Sequence, residues 1–189
     1  MTKYYTGSKA QSYEADRRDQ AKWKWENATV SSLLKDLEFD SVIDAPVGTG
    51  RFLHLYDTRV YCFDISQDMI DIAKAKGVDA EYRRCDLVRD QLPIEADLIV
   101  SIRFLNLIDA AQTKRALDNL LSSARRYAIF TMLTVPDDYK GKMKLGRVYL
   151  HWDKLAREVV ERNCFEIVGR YPYEDNVPGS YQIFLCRRV

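Results

Sequence analysis

The feature that most restricts how this chain folds is a pair of short apolar runs, each closing on an acid, with the two acids twenty residues apart at Asp44 and Asp64. The first run, Val42-Ile43-Asp44, leads directly into Ala45-Pro46-Val47-Gly48-Thr49-Gly50-Arg51-Phe52, and the second is Val60-Tyr61-Cys62-Phe63-Asp64, followed by Ile65-Ser66. A run this short, apolar throughout and ending at a Gly-x-Gly turn, has the pattern of a buried parallel strand feeding a helix. Glycine lets the main chain approach a ligand with no Cβ in the way, and a helix start offers unpaired N–H donors. The carboxylate at the second strand end has two acceptor oxygens, which suits the paired hydroxyls of a ribose. Together the two runs predict an α/β unit that holds a nucleoside.

The dinucleotide fingerprint requires glycine at positions 46, 48 and 51; the chain has Pro46, Gly48 and Arg51, so NAD fits poorly. The pattern acid-x-Gly-x-Gly-x-Gly is met at Asp44, Gly48 and Gly50, with Pro46 in place of the first glycine. Three later segments extend it: Ile65-Ser66-Gln67-Asp68-Met69-Ile70 after Asp64, Arg84-Cys85-Asp86-Leu87 with Leu92-Pro93, and Ala96-Asp97-Leu98-Ile99-Val100-Ser101. On these four successive strand endings the chain resembles the class I S-adenosylmethionine (SAM) methyltransferases. The resemblance implies SAM as cofactor. It assigns Asp44, Ala45, Pro46, Gly48 and Gly50 to the methionine part, Asp64 to the ribose, and Ile65, Met69, Asp86 and Leu87 to the adenine. Ser101 falls where substrate and methyl group meet. Pro46 departs from the pattern by fixing φ and removing an N–H donor.

Strand patterns start near 41, 59, 79, 96 and 126, separated by helical segments such as 66–76, stopped by Gly77, and 109–123. This alternation predicts a parallel sheet with crossover helices. A helix over 152–163 then precedes strands at 165–173 and 181–188, and the turn-rich connector Glu174-Asp175-Asn176-Val177-Pro178-Gly179-Ser180 predicts a hairpin. The fold expected, in line with the resemblance, is a doubly wound, mostly parallel seven-stranded α/β sheet with a C-terminal antiparallel hairpin. A chain of 189 residues suits one domain. Residues 1–40 are expected as a helical lid segment, with Trp23, Trp25, Val30, Leu33, Leu34 and Leu37 approximating a helical stripe, and residues 41–189 as a Rossmann-like core.

Twenty-nine basic against 28 acidic residues leave a net charge of +1, so no global field draws nucleic acid or an acidic membrane surface. The chain lacks the Asp/Asn-Pro-Pro-Tyr and Pro-Cys marks of DNA base methylation, which disfavours nucleic acid and favours a small-molecule acceptor. Cysteines 62, 85, 164 and 186 show no C-x-x-C spacing; they are expected as reduced core residues of a cytoplasmic protein, with no metal site. No apolar run approaches the ~18 residues needed to span a bilayer, and no leader pattern opens the chain, so a soluble, unexported protein is expected.

SAM carries an already activated methyl group, so holding a nucleophile in line with it can supply ~7–11 kcal/mol and no acid or base is obligatory. Arg103, after the fourth strand, is a candidate to hold a substrate anion, and Tyr13 a candidate lid residue over the site. Arg147 and Tyr149 belong to a basic insertion at 134–149 expected to frame the acceptor pocket. His151, expected at an exposed helix start, is the candidate base for a hydroxyl acceptor. An oxygen or nitrogen acceptor is expected. A SAM-using lyase or hydrolase, or a non-catalytic nucleoside-binding protein, stays open on sequence alone, as does oligomeric state.

Overall fold

The structure, a computed structural model, describes residues 5–173 and 179–189. Residues 174–178 of the expected hairpin connector lie outside this description. In chain order the elements are α1 (Ser8–Gln11), α2 (Ala21–Lys35), β1 (Ser41–Asp44), β2 (Arg59–Asp64), α3 (Gln67–Lys74), β3 (Glu81–Arg84), β4 (Ala96–Ser101), α4 (Ala110–Ser122), β5 (Ala124–Val135), β6 (Lys144–Leu145), β7 (Val148–Tyr149), β8 (His151–Trp152), α5 (Asp153–Arg162), β9 (Phe165–Tyr173) and β10 (Ser180–Arg188). Short 3₁₀ turns occupy Leu53–Leu55 and Leu105–Leu107.

The main sheet runs β3-β2-β1-β4-β5-β10-β9. Strands β1 to β5 are mutually parallel, while β10 pairs antiparallel with both β5 and β9. The mostly parallel sheet closed by an antiparallel pair is the architecture expected from the sequence. One strand of this sheet was not expected: the two-residue β8 pairs parallel with the far end of β5, at Thr134 and Val135.

Side-chain alternation fills both faces. Val42, Val60, Cys62, Leu98 and Val100 point toward Val30, Leu33 and Leu34 of α2 and Ile70 and Ala73 of α3. Ile43, Tyr61, Phe63 and Ile99 point the other way, toward Leu117 and Leu120 of α4 and Leu155 and Val159 of α5. Strand β1 is buried along its whole length, which explains the consecutive apolar Val42 and Ile43 at its centre. Local signals set the helix ends. Ser66 caps α3, Asp109 and Gln112 form a reciprocal capping box at α4, and Gly77 at φ +73° follows α3.

The N-terminal segment divides into two parts. Helix α2 belongs to the core, with Trp25 against Tyr173 and Tyr181 at ring separations of 5.2 and 6.2 Å. Residues 5–20 instead cross the open end of the parallel strands. Of the cysteines, 62, 85 and 186 are buried as expected, whereas Cys164, in the turn between α5 and β9, is exposed and not a core residue. Its φ of +61° marks a left-handed turn residue rather than strand backbone.

Candidate active site

The carboxyl ends of β1, β2 and β4 open onto one cavity of about 180 Å³. Its polar side is built by Asp44, Gly48, Thr49, Asp64, Ser66 and Asp86, and its apolar side by Trp23, Phe52, Ile102, Phe104, Leu107 and Ile108. This is the crevice outside the strand ends where open α/β sheets bind ligands.

The β1 turn is shaped by its sequence. The Ala45–Pro46 peptide is cis, and Gly48 and Gly50 have φ of +55° and +73°. The two glycines differ in purpose. A Cβ on Gly48 would meet nothing within 4 Å, so its face is open toward a ligand, whereas one on Gly50 would lie 2.7 Å from Leu53 Cδ1 and 3.1 Å from Ala73 Cβ. Gly48 is a cradle position, and Gly50 is a packing position that does not line the cavity.

Asp64 accepts from the Gly48 N–H through Oδ2 at 2.9 Å and from the Ser66 N–H through Oδ1 at 2.8 Å, which ties the β1 turn to the start of α3. The carboxylate keeps acceptor capacity for a ligand. Burial pushes its carboxyl above the usual range, opposed by the main-chain hydrogen bonds from Ser66, Gly48 and Ile65. Asp44 is pushed further, to about 8: burial dominates, the Tyr56 hydroxyl that donates to it at 3.2 Å opposes, and the charge of Asp64 adds. Asp86 accepts from the Val88 N–H at 3.1 Å. Arg83 and Arg84 are engaged with Glu81 and the Ile65 carbonyl, and Arg89 is the cation beside Asp86, at 3.7 Å.

Of the residues expected at the cofactor, Asp44, Pro46, Gly48, Asp64, Ile65, Met69, Asp86 and Leu87 line this cavity, as do Arg103 and Tyr13. Ala45 and Ser101 are fully buried beneath it and do not reach the lining. Three expectations are corrected by their positions. His151 is not exposed at a helix start; it sits fully buried on β8 with Nε2 2.9 Å from the Leu105 carbonyl, and burial lowers its pKa. Arg147 and Tyr149 lie on the β6-β7 ribbon, which packs through Leu145 and Val148 onto Leu133, Val135 and Leu150, outside the cavity lining. The apolar underside of the insertion turns it into a second layer.

Glu26 was not marked by sequence reasoning, and it organises the site. It is fully buried and accepts from Arg51 Nη1 at 2.7 Å, from Arg103 Nε at 2.7 and 2.9 Å, and from the Tyr181 hydroxyl at 2.7 Å. Arg51 is further bound to Asn27 Oδ1 and the Trp23 carbonyl, with its guanidinium 3.6 Å above the Trp23 ring. The available signal was spacing: Glu26 lies three residues after Trp23 and four before Val30, on the buried stripe of α2. Residues 5–20 cover the opening through Tyr5 and Tyr13, whose rings meet edge to face at 5.0 Å. The Tyr5 carbonyl accepts from Ser66 Oγ at 2.7 Å, and the Gly7 N–H donates to Asp68 at 2.6 Å.

Residues 42–126 match a family described as "Methyltransferase domain". Over those residues the chain is similar to that family, and its fold is the one of the class I SAM-dependent methyltransferases. Solved structures share the fold at low identity. Magnesium protoporphyrin IX methyltransferase from Synechocystis PCC 6803 with bound SAM aligns at TM-score 0.71 and 19% identity, over 88% of this chain and 79% of that one. A SAM-dependent methyltransferase from Clostridium acetobutylicum aligns at 0.70 and 14%, over 94% and 96%. The [4+2]-cyclase SpnF aligns at 0.68 and 13%, over 88% and 82%, so the same fold also carries other chemistry. A search of curated proteins finds no match.

The residues of this cavity fit SAM. Three acids face one cavity, Gly48 leaves an open face, and two buried polar atoms of lining residues, Thr49 Oγ1 and Arg103 Nη2, have no partner in the protein. Buried polar atoms left in this way are costly unless a ligand meets them. Among the described residues no acid, histidine and cysteine cluster suits a metal, and no helix is long and apolar enough to cross a membrane.

Proposed function

We propose that the protein transfers the methyl group of SAM to an oxygen or nitrogen of a small-molecule acceptor. The observation that carries this reading is one cavity lined both by three acids at successive strand ends, Asp44, Asp64 and Asp86, and by apolar and aromatic residues that include Trp23, Phe104, Leu107 and Ile108. When bound, SAM supplies a sulfonium-activated methyl group. In this reading Asp64 holds the ribose, Asp86 and Leu87 the adenine, and Asp44 with the 45–50 turn the methionine end. Ile102, Phe104, Leu107 and Ile108 exclude water and hold the acceptor body. Positioning then supplies much of the rate, as no side chain at the apolar side need move a proton. The unpaired cysteines support a reducing, cytoplasmic setting.

The test is a calorimetric titration with SAM, S-adenosylhomocysteine and NAD on the intact protein and on Asp64→Ala. The reading expects micromolar binding of both adenosyl ligands, ~8 kcal/mol, lost in the variant and absent for NAD. An acceptor screen follows, read by S-adenosylhomocysteine formation, which accompanies methyl transfer and not cyclisation or lysis. Failure of the intact protein to bind either adenosyl ligand sinks the proposal.

A further inference from the structure

Arg103 is the one non-glycine residue of the cavity wall with a left-handed backbone, at φ +61°. Such a conformation disfavours a long side chain, and it persists where the surroundings impose it. Two contacts impose it here. The Arg103 N–H donates to Thr131 Oγ1 on β5 at 2.7 Å, and Nε is clamped between both oxygens of Glu26 at 2.7 and 2.9 Å. The guanidinium is further backed by the Trp23 ring at 5.1 Å. The side chain is thus fixed at its middle, and the residue forms part of the cavity wall with 17% of its side chain exposed.

The Arg103 guanidinium has an unmet requirement. Glu26 serves two arginines, but Arg51 spends Nε, Nη1 and Nη2 on Asn27, Glu26 and the Trp23 carbonyl, whereas Arg103 Nη2 is buried with no partner. One carboxylate against two guanidiniums leaves this wall one positive charge in excess. The wall beside it is apolar, from Ile102, Phe104, Leu107 and Ile108. A buried, rigidly held guanidinium edge recognises a planar oxyanion above other groups.

We propose that Arg103 is a carboxylate anchor: its outer guanidinium edge receives a carboxylate of the bound ligand set, from an apolar acceptor acid or from the amino-acid end of the cofactor. The inference rests on the methyltransferase reading of the same cavity.

The experiment uses the full chain, Arg103→Lys, which keeps the charge but loses the planar edge, and Arg103→Met, with thermal melting to confirm that each variant folds. Each protein is titrated with S-adenosylhomocysteine and with 5′-methylthioadenosine, which has the nucleoside and sulfur but no carboxylate. Benzoate, with benzamide as its uncharged counterpart, is then added to the S-adenosylhomocysteine complex and the melting midpoint followed. A tenfold or greater loss of S-adenosylhomocysteine affinity in both variants, with methylthioadenosine unchanged, identifies the cofactor's carboxylate as the anion. Unchanged affinity for both nucleosides, with benzoate but not benzamide raising the midpoint of the parent and not of Arg103→Met, identifies the acceptor's. Equal losses for both nucleosides, or no effect of the variants on either nucleosides or benzoate, overturns the proposal. If the parent binds neither nucleoside the methyltransferase reading falls separately, and the benzoate arm on the free protein decides Arg103 alone.

Discussion

Replacing Glu26 with glutamine should destabilise the protein far more than an acid-to-amide exchange does at a surface. The carboxylate is fully buried, and its three donors, Arg51, Arg103 and Tyr181, all lie within 2.9 Å. Glutamine keeps the volume but has one acceptor oxygen, turns an N–H₂ toward donors, and leaves two buried guanidiniums without a counter-charge. Removing one partner of a buried ion pair costs ~3–5 kcal/mol, and neither arginine is exposed enough for water to recover that loss. In urea, with an m-value of ~3 kcal/mol/M for a chain of this size, the unfolding midpoint should fall by ~1–1.7 M. Glu26→Leu combined with Arg51→Met and Arg103→Met should recover most of the loss, since apolar replacement of a whole buried ionic group is often neutral. A Glu26→Gln cost below ~1 kcal/mol would refute the assignment of Glu26 as the hub of the site.

Other outcomes follow from the same geometry. Because the Asp44 carboxyl sits at about 8 in the free protein, a cationic ligand beside it must displace its proton; SAM affinity should rise ~50-fold from pH 6 to pH 8 and stay flatter in Asp44→Asn. The same shift means that unliganded stability falls as pH rises from about 4 through 8, because the unfolded chain ionises first; a pH series of denaturation midpoints against Asp44→Asn checks the sign. Gly50→Ala should cost at least ~2 kcal/mol in chemical denaturation, from a left-handed backbone plus a 2.7 Å clash, while Gly48→Ala costs ~1–2 kcal/mol and shows its main effect in SAM titration. His151 is held neutral by burial, so its contribution is complete above pH ~6.5 and lost as pH falls through its lowered folded value; His151→Asn should flatten the acid limb of the stability profile.

Much of the fold was legible because its signals are local. An apolar run closing on an acid, at 44, 64 and, after a polar edge strand, 86, marks a strand end whatever the rest of the chain does, and Ser66, Gly77 and Asp109 punctuate the helices between. What stayed hidden depends on contacts distant in sequence. Arg51 drew notice only as a missing glycine, since nothing near it says that Glu26, 25 residues earlier, will pair with it. His151 reads as exposed because it stands just before a helix; its burial comes from a two-residue strand too short to leave a periodic pattern. The basic insertion was read by its charges, whereas its placement is set by Leu145 and Val148 on its other side. Gly48 and Gly50 look alike in sequence, and only the position of Leu53 and Ala73 separates their purposes.

The bond from Tyr181 to Glu26 joins residues 155 apart. An acid on α2 thus depends on a hydroxyl of β10, the strand that also fills the gap between β5 and β9. Until β10 docks, β5 presents a long unpaired edge and Glu26 lacks one of its three donors. The wall that carries Arg103 is therefore not a local product of the β4 turn: it is complete only when α2 and the last strand of the sheet have both docked.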